Sequence, residues 1–233
     1  MNGKGEVLKR AISRMPLIGH RAAKLYIQIV GRRFSGSAEY WNNRYANGSN
    51  SGPGSYGKLA RFKAGIINEF VESEGISSVI EFGCGDGNQL KLARYPRYLG
   101  FDVSPAVVER CRREFSGDSS KKFMLLEEYA GQMAGLTASL DVIYHLVEDD
   151  VFEAHMDLLF RSSLRYVIIY SSNKDDPGSL RCPHVRDRQF SRWIEKNARG
   201  WELWKHVPNR YPSADGFGEG SRSDFYIWKK YGS

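Results

Sequence analysis

The sequence predicts an α/β protein: a doubly wound, seven-stranded sheet with an antiparallel last strand, preceded by an amino-terminal helical arm. Three observations carry that prediction. Val79–Leu90 (VIEFGCGDGNQL) reads as a buried strand ending in an acid, then glycine at every second position, then the start of a helix. Tyr98–Val103 (YLGFDV) is a second short apolar strand ending in an acid, about twenty residues beyond the glycine loop. Tyr166–Ser171 (YVIIYS) is a continuous run of the kind expected in a strand buried on both faces of a parallel sheet.

The 233 residues fit one such domain with room for additions, and the 41% hydrophobic and 26% charged fractions are those of a globular protein. The net charge of +7 is confined to the arm. Met1–Arg33 holds eight basic residues against the single acid Glu6, and the rest of the chain balances at 26 basic and 26 acidic residues. The arm is also apolar at helical spacing, with Val7, Leu8, Ile12 and Met15, then Leu25, Ile29 and Val30, broken at Pro16. Arg21 and Lys24 interrupt what would be a secretory core, and no run of eighteen apolar residues exists. Such an arm packs on its own domain or on a second subunit. The alternative is an anionic membrane surface, which a basic amphipathic helix suits. No basic–aromatic surface continues into the domain, so no nucleic-acid partner is expected. Three cysteines without metal spacing point to a reducing compartment, hence the cytoplasm, with the arm able to reach the inner face of the membrane.

The domain divides as residues 1–34 (arm), 35–75 (lid and first helix) and 76–233 (core). Asn47–Gly57 is rich in Gly, Ser and Asn and reads as loop, flanked by the aromatics Tyr40, Trp41, Tyr45 and Tyr56. Flexible glycines between aromatic anchors suggest a lid that closes over a ligand. Lys58–Val71 follows as a helix, with Leu59, Phe62, Ile66, Ile67 and Phe70 on one face. Arg44, Tyr56 and Lys63 are candidates to meet an anionic group.

In the glycine loop, Gly83, Gly85 and Gly87 permit φ > 0 and close approach of a ligand to the backbone. A dinucleotide fingerprint needs a glycine where Asn88 stands, and a phosphate loop needs Gly-Lys-Ser/Thr; both are absent. Asp102 stands where a βαβ unit holds ribose hydroxyls; its other reading is the cap of the helix that begins at Pro105. The run from Glu81 to Gly87, E-x-G-x-G-x-G, resembles motif I of the class I S-adenosylmethionine (SAM)-dependent methyltransferases. The resemblance covers roughly residues 76–170 by motif order. It implies a Rossmann-like fold and SAM as cofactor. Glu81, Gly83, Gly85 and Gly87 would contact its methionine part, and Asp102 its ribose; Asp86 and Asp141 belong to the same cofactor-binding set. The pattern YW, RY, GSYG and FKA ahead of the loop is similar to methyltransferases of bacterial surface-glycan and small-metabolite biosynthesis.

Past Asp102, Pro105–Phe115 reads as a helix, Lys122–Leu126 as the third strand and Ser139–Leu146 (SLDVIYHL) as the fourth. The resemblance implies that Glu127 or Glu128, after strand three, accepts the adenine amino group, Glu127 being the candidate carried forward; two adjacent glutamates also suit a solvated turn. It places strand four at motif IV, where residues look into the active-site crevice. His145 there is the candidate general base, because a neutral imidazole takes a proton from a hydroxyl as the methyl arrives. The competing reading is a buried histidine bonded to a backbone carbonyl. Glu148, Asp149 and Asp150 suit the first turn of a helix over Val151–Phe160, and no metal-ligand spacing is present. Gln189–Asn197 is a short helix, and Trp201–Val207 with Ser223–Lys229 form the closing antiparallel pair. The loops after strands five and six border the acceptor side by resemblance, so His184, Arg186, Arg188 and Arg210 are candidates to meet an anionic substrate unless they are ordinary surface charge, and Tyr56 joins the substrate candidates from the lid.

The expected activity is methyl transfer from SAM to a hydroxyl of a small-molecule or glycan acceptor. The alternatives are N-methylation of a small amine, and a SAM-fold binding module without catalysis.

Overall fold

A computed structural model describes residues 34–176, 182–213 and 220–232. The arm over residues 1–33, with its docking, membrane and localisation readings, lies outside the described residues. Among the described residues, no helix is long and apolar enough to cross a membrane.

The described chain runs α1 (Ser37–Ala46), α2 (Gly57–Ser73), β1 (Val79–Phe82), β2 (Tyr98–Asp102), α3 (Pro105–Glu114), β3 (Lys121–Leu125), β4 (Ala134–Leu140), α4 (Asp149–Arg161), β5 (Ser163–Ser171), α5 (Phe190–Asn197), β6 (Trp201–Val207) and β7 (Asp224–Lys230). The strands form one sheet in the order β3-β2-β1-β4-β5-β7-β6. β1 to β5 are mutually parallel where they pair, and β7 runs antiparallel to both β5 and β6. The doubly wound sheet with its antiparallel closing strand is the architecture expected from the sequence.

Alternation along the strands decides which helix covers which face. Val79, Tyr98, Phe123, Leu136, Tyr166 and Ile168 pack with Ile67, Phe70 and Val71 of α2 and with Val108 and Cys111 of α3. Ile80, Phe82, Phe101, Val167 and Ile169 pack on the other side with Phe152, Met156 and Leu159 of α4 and with Phe190 and Ile194 of α5. Each large apolar side chain buried this way contributes roughly 1.5–3 kcal/mol. The carboxyl ends of β1, β2 and β4 therefore lie side by side, with helices held on both faces beneath them.

Four local expectations are corrected. The glycine loop does not lead into an α-helix: only a single turn forms, over Leu90–Leu92. The reason is in the chain, since Pro96 and the start of β2 at Tyr98 leave too few residues, and Asn88 and Gln89 spend their amides on the carbonyls of Ser55 (2.7 Å) and Ala60 (3.1 Å). The argument from a helix dipole aimed at the loop falls with that helix. The third strand begins one residue earlier than its pattern suggested. The fourth strand is Ala134–Leu140, not Ser139–Leu146. Its small residues and Gly135 concealed its start, and Asp141, with φ of 60°, ends it. His145 consequently sits on a single turn after the strand. Finally, α1 occupies what read only as the approach to a lid.

Candidate active site

A cavity of about 290 Å³ opens where β1, β2 and β4 end. That is near the lower end of the roughly 300–1,000 Å³ typical of ligand pockets. Its wall combines the glycine loop (Gly83, Cys84, Gly85), the strand-end acids (Glu81, Asp102, Asp141) and the lid (Trp41, Tyr45, Ser51, Ser55). Gly83 and Gly85 have φ of 85° and 57°. A side chain at Gly83 would strike Val142, and one at Gly85 would strike Ser51 of the lid. The loop is thus shaped by the segments that close on it as well as by the space it leaves.

Two of the acids are buried, Glu81 with a single donor and Asp102 with backbone N–H donors only. Glu81 is 5% exposed and accepts a hydrogen bond from the Tyr98 hydroxyl at 2.7 Å. Burial pushes its carboxyl up to about 7, against the opposing pull of Tyr98 and Lys63. Asp102 accepts from the backbone N–H of Gly85 (2.9 Å) and of Ser104 (3.1 Å). Burial raises it to about 6 despite those bonds. Beside them, Gln89 lines the cavity and its buried Oε1 has no hydrogen-bond partner among the described residues. These are acceptors in need of donors.

The lid is latched at both ends. The Asp86 carboxylate accepts from the Tyr56 hydroxyl (2.7 Å), the Ser51 N–H (2.9 Å) and the Asn88 N–H (3.1 Å). Burial alone would raise the pKa of Asp86, and these bonds outweigh it and hold the group below its ordinary range. Tyr56 is pushed up to about 12, by burial first and by Asp86 second. At the other end the Glu148 carboxylate takes both the N–H and the hydroxyl of Ser37, and Ser37 Oγ accepts from the Val147 N–H at 3.0 Å. The lid is closed onto the loop and onto the turn before α4.

Below the lid, Lys63 is 1% exposed and pairs with Asp141 at 2.7 Å. Asp141 also accepts from the Tyr144 hydroxyl (2.9 Å) and the Ser223 hydroxyl (3.3 Å). His145 borders the same space, with Trp41 packed edge-on at 4.9 Å. Its Nδ1 lies 3.0 Å from the His184 carbonyl. A carbonyl only accepts, so Nδ1 carries the proton and a neutral ring leaves Nε2 as an acceptor. Burial lowers the pKa of His145 to about 4, against the pull of that carbonyl. Among the described residues, no group of three or more His, Cys, Asp or Glu is arranged to hold a metal.

No protein-family model matches the sequence, and no curated protein matches it. Solved structures do match. The N-methyltransferase NodS from Bradyrhizobium japonicum WM9, in complex with S-adenosylhomocysteine (SAH), superposes with a TM-score of 0.66 at 18% identity, over 84% of this chain and 100% of that one. Magnesium protoporphyrin IX methyltransferase (ChlM) from Synechocystis PCC 6803, with bound SAM, gives 0.56 at 16% identity, over 88% and 96%. The methyltransferase domain of the bacterial protein CtHen1-C gives 0.56 at 20% identity, over 74% and 99%. The chain has the Rossmann-like methyltransferase fold.

Within that fold the residues singled out from the sequence separate into two groups. Glu81, Gly83, Gly85, Asp102, Asp141 and His145 meet at the cavity. Asp86 and Gly87 belong to the same loop but face away from it: Asp86 holds the lid, and Gly87 packs against Cys111 and Phe115. Glu127 is exposed and stands outside the cavity, whose wall takes Leu126 instead. Tyr56, His184 and Arg186 also lie outside the lining. His184 stacks on Tyr40 at 4.2 Å. Arg186 bonds the Val147 carbonyl (3.1 Å) and pairs with Asp149 (3.0 Å). Gln89, Val142 and His155 were not anticipated. Gln89 stands two residues after Gly87 and Val142 follows Asp141, so proximity to the motifs was their signal. His155 had none, being one of several residues on an ordinary amphipathic helix.

Proposed function

We propose that this chain is a SAM-dependent methyltransferase acting on a hydroxyl of a small-molecule or glycan acceptor. The observation that carries the reading is the pair of buried carboxylates, Glu81 and Asp102, beside the glycine loop in the wall of one cavity. The cofactor fits that wall. Its amino group and ribose hydroxyls are donors for Glu81, Asp102 and Gln89, its positive charge offsets the two carboxylates, and Gly83 and Gly85 keep the loop free of side chains. When bound it supplies a sulfonium methyl group. NodS, ChlM and CtHen1-C, which share the fold, are named as methyltransferases.

The residues of the chain do the remaining work. The latched lid excludes water and holds the acceptor against the cofactor, and orientation in such a site is a large part of the acceleration available. The Lys63–Asp141 pair fixes the end of β4, and the His184 carbonyl fixes the tautomer of His145. With Nε2 unprotonated near pH 7, His145 is placed to accept the acceptor's hydroxyl proton. Arg186 and Arg188 are committed to Asp149 and to backbone carbonyls of the turn before α4, which favours an uncharged acceptor group over an anionic one.

The test is release of SAH from SAM in the presence of hydroxyl or amine acceptors, with wild type and His145→Ala. An alcohol acceptor whose turnover collapses in the variant supports the reading. Turnover only with amines, unaffected by the variant at high pH, would replace it with N-methylation.

A further inference from the structure

Two of the three cysteines meet beneath the glycine loop. Cys84 stands in the loop between Gly83 and Gly85, lines the cavity and is 8% exposed. Cys111 reaches it from α3 and is fully buried. The two thiols are hydrogen-bonded to each other, and the bond favours the protonated form of Cys84, so Cys84 is the donor. Cys111 Sγ in turn donates to the Gly85 carbonyl at 3.3 Å. A Cβ at Gly87 would come within 3.1 Å of that same sulfur, so the loop is folded tightly around it.

Gly85 is held on both sides. Its N–H donates to the Asp102 carboxylate at 2.9 Å, and its C=O accepts from the Cys111 thiol. What happens at sulfur therefore reaches an acid of the cavity wall through a single residue. A thiol buried in apolar surroundings is ordinarily inert. Cys84 differs because it borders the cavity, which gives a small molecule access to it. Beside it, Cys111 supplies the second thiol that a disulfide needs.

We infer that Cys84 and Cys111 form a redox-sensitive site, which a small hydroperoxide entering the cavity oxidises to a disulfide that disables the glycine loop. The Cys84 sulfur attacks the peroxide, the O–O bond breaks, and a sulfenic acid and an alcohol (water, from hydrogen peroxide) are formed. Cys111 Sγ then attacks the Cys84 sulfur, the S–O bond breaks, and water leaves with the thiol hydrogen. Two electrons have passed from the thiols to the peroxide. Neither sulfur now carries a hydrogen, so the Gly85 carbonyl loses its donor, and the loop must shift to satisfy it. Contact with Cys111 and burial, with Asp102 and Glu81 adding to them, hold the Cys84 thiol well above its ordinary range. The reaction is therefore slow near pH 7 and faster in alkali. The site rests on the proposed function only for the ligand whose binding it controls.

The test treats the full chain with hydrogen peroxide, maps its peptides by mass spectrometry without reductant, and measures SAH binding by calorimetry. Wild type should give a peptide linked through Cys84 and Cys111. Its Kd for SAH should weaken by about 5–150-fold, the usual range of coupling between two sites, and dithiothreitol should restore it. SAH added before the peroxide should slow the linkage, because it covers Cys84. Cys111→Ser should give no linked peptide and keep most of its SAH affinity after the same treatment. Absence of the linked peptide in wild type, or a linked protein that binds SAH as the reduced one does, would overturn the inference. So would an equal loss in Cys111→Ser, which would place the effect on Cys84 alone. Should that variant fail to fold, the wild-type peptide map and the recovery with dithiothreitol decide. If reduced wild type binds no SAH, the proposed function fails separately. The inference is then decided by the linked peptide together with faster hydrogen exchange in residues 83–88 of the oxidised protein; both support it, and the lack of either removes it.

Discussion

Removing the Tyr56 hydroxyl should loosen the lid without touching the cavity wall. Tyr56 donates to Asp86 at 2.7 Å, and Asp86 accepts two further bonds from Ser51 and Asn88. A hydrogen bond to a charged group contributes about 1.5–3 kcal/mol. The site is only partly buried, so the lower end applies to Tyr56→Phe, about 1.5 kcal/mol. That shifts the closed-to-open ratio of the lid roughly tenfold, since about 1.4 kcal/mol is a factor of ten. Asp86→Ala removes the acceptor of all three bonds and should open the lid further. Hydrogen exchange read by mass spectrometry is the assay. Amides of residues 49–56 should exchange about tenfold faster in Tyr56→Phe, with those of β1, β4 and β5 unchanged. Unchanged exchange in residues 49–56, or equal acceleration across the whole sheet, would refute the idea that this bond holds the lid locally.

Other consequences can be checked independently. His145→Ala should lower turnover of an alcohol acceptor by about 10²–10⁴-fold, the range for general-base catalysis, with the Kd for SAH within twofold of wild type. Because burial holds the pKa of His145 near 4, the wild-type rate at saturating SAM, with the bound cofactor's charge keeping Glu81 and Asp102 ionised, should be flat from pH 6 to 8. A step near pH 6.5 in stopped-flow rates would show an ordinary histidine instead. Glu81 and Asp102 have folded-state values of about 7 and 6, both raised by burial. The folded state then binds more protons than the unfolded state between roughly pH 4 and 7, so the ligand-free protein should lose stability as pH rises through that window. SAM affinity, followed by calorimetry, should rise over the same window as the carboxylates ionise. Lys63→Met strands the Asp141 carboxylate in a nearly closed site and should cost about 3–5 kcal/mol in urea denaturation. Lys63→Met with Asp141→Asn should recover most of that loss; a double variant no more stable than the single one would deny that the pair is coupled.

The sheet was legible because its signals are local. The run of apolar residues in β5, the acid-ended strands β1 and β2, and the glycine spacing each say one thing about the backbone. What the sequence hid depended on distant partners. β4 is built of small residues and is ended by an aspartate at positive φ, and that φ is tolerated because Lys63, Tyr144 and Ser223 surround its carboxylate. The α-helix expected after the glycine loop is cut to one turn by Pro96 and the start of β2 at Tyr98, whereas the bonds of Asn88 and Gln89 to the lid and α2 are revealed by no window around them. Arg186 and His184 lie in the loop where acceptor residues were expected, yet their side chains face structural neighbours. His155 shows the converse. Its spacing on α4 is that of any core residue, and only the missing helix between β3 and β4 makes it part of a cavity wall.

The central claim, a SAM site between the glycine loop and the lid, is tested most directly by thermal unfolding with SAM, SAH and NAD. At a hundredfold excess over Kd a ligand adds about 2.7 kcal/mol, or roughly 5–10 °C for a chain of this size. The account predicts that shift with SAM and SAH and none with NAD. A shift with NAD alone, or with none of the three across pH 6 to 8, would contradict it.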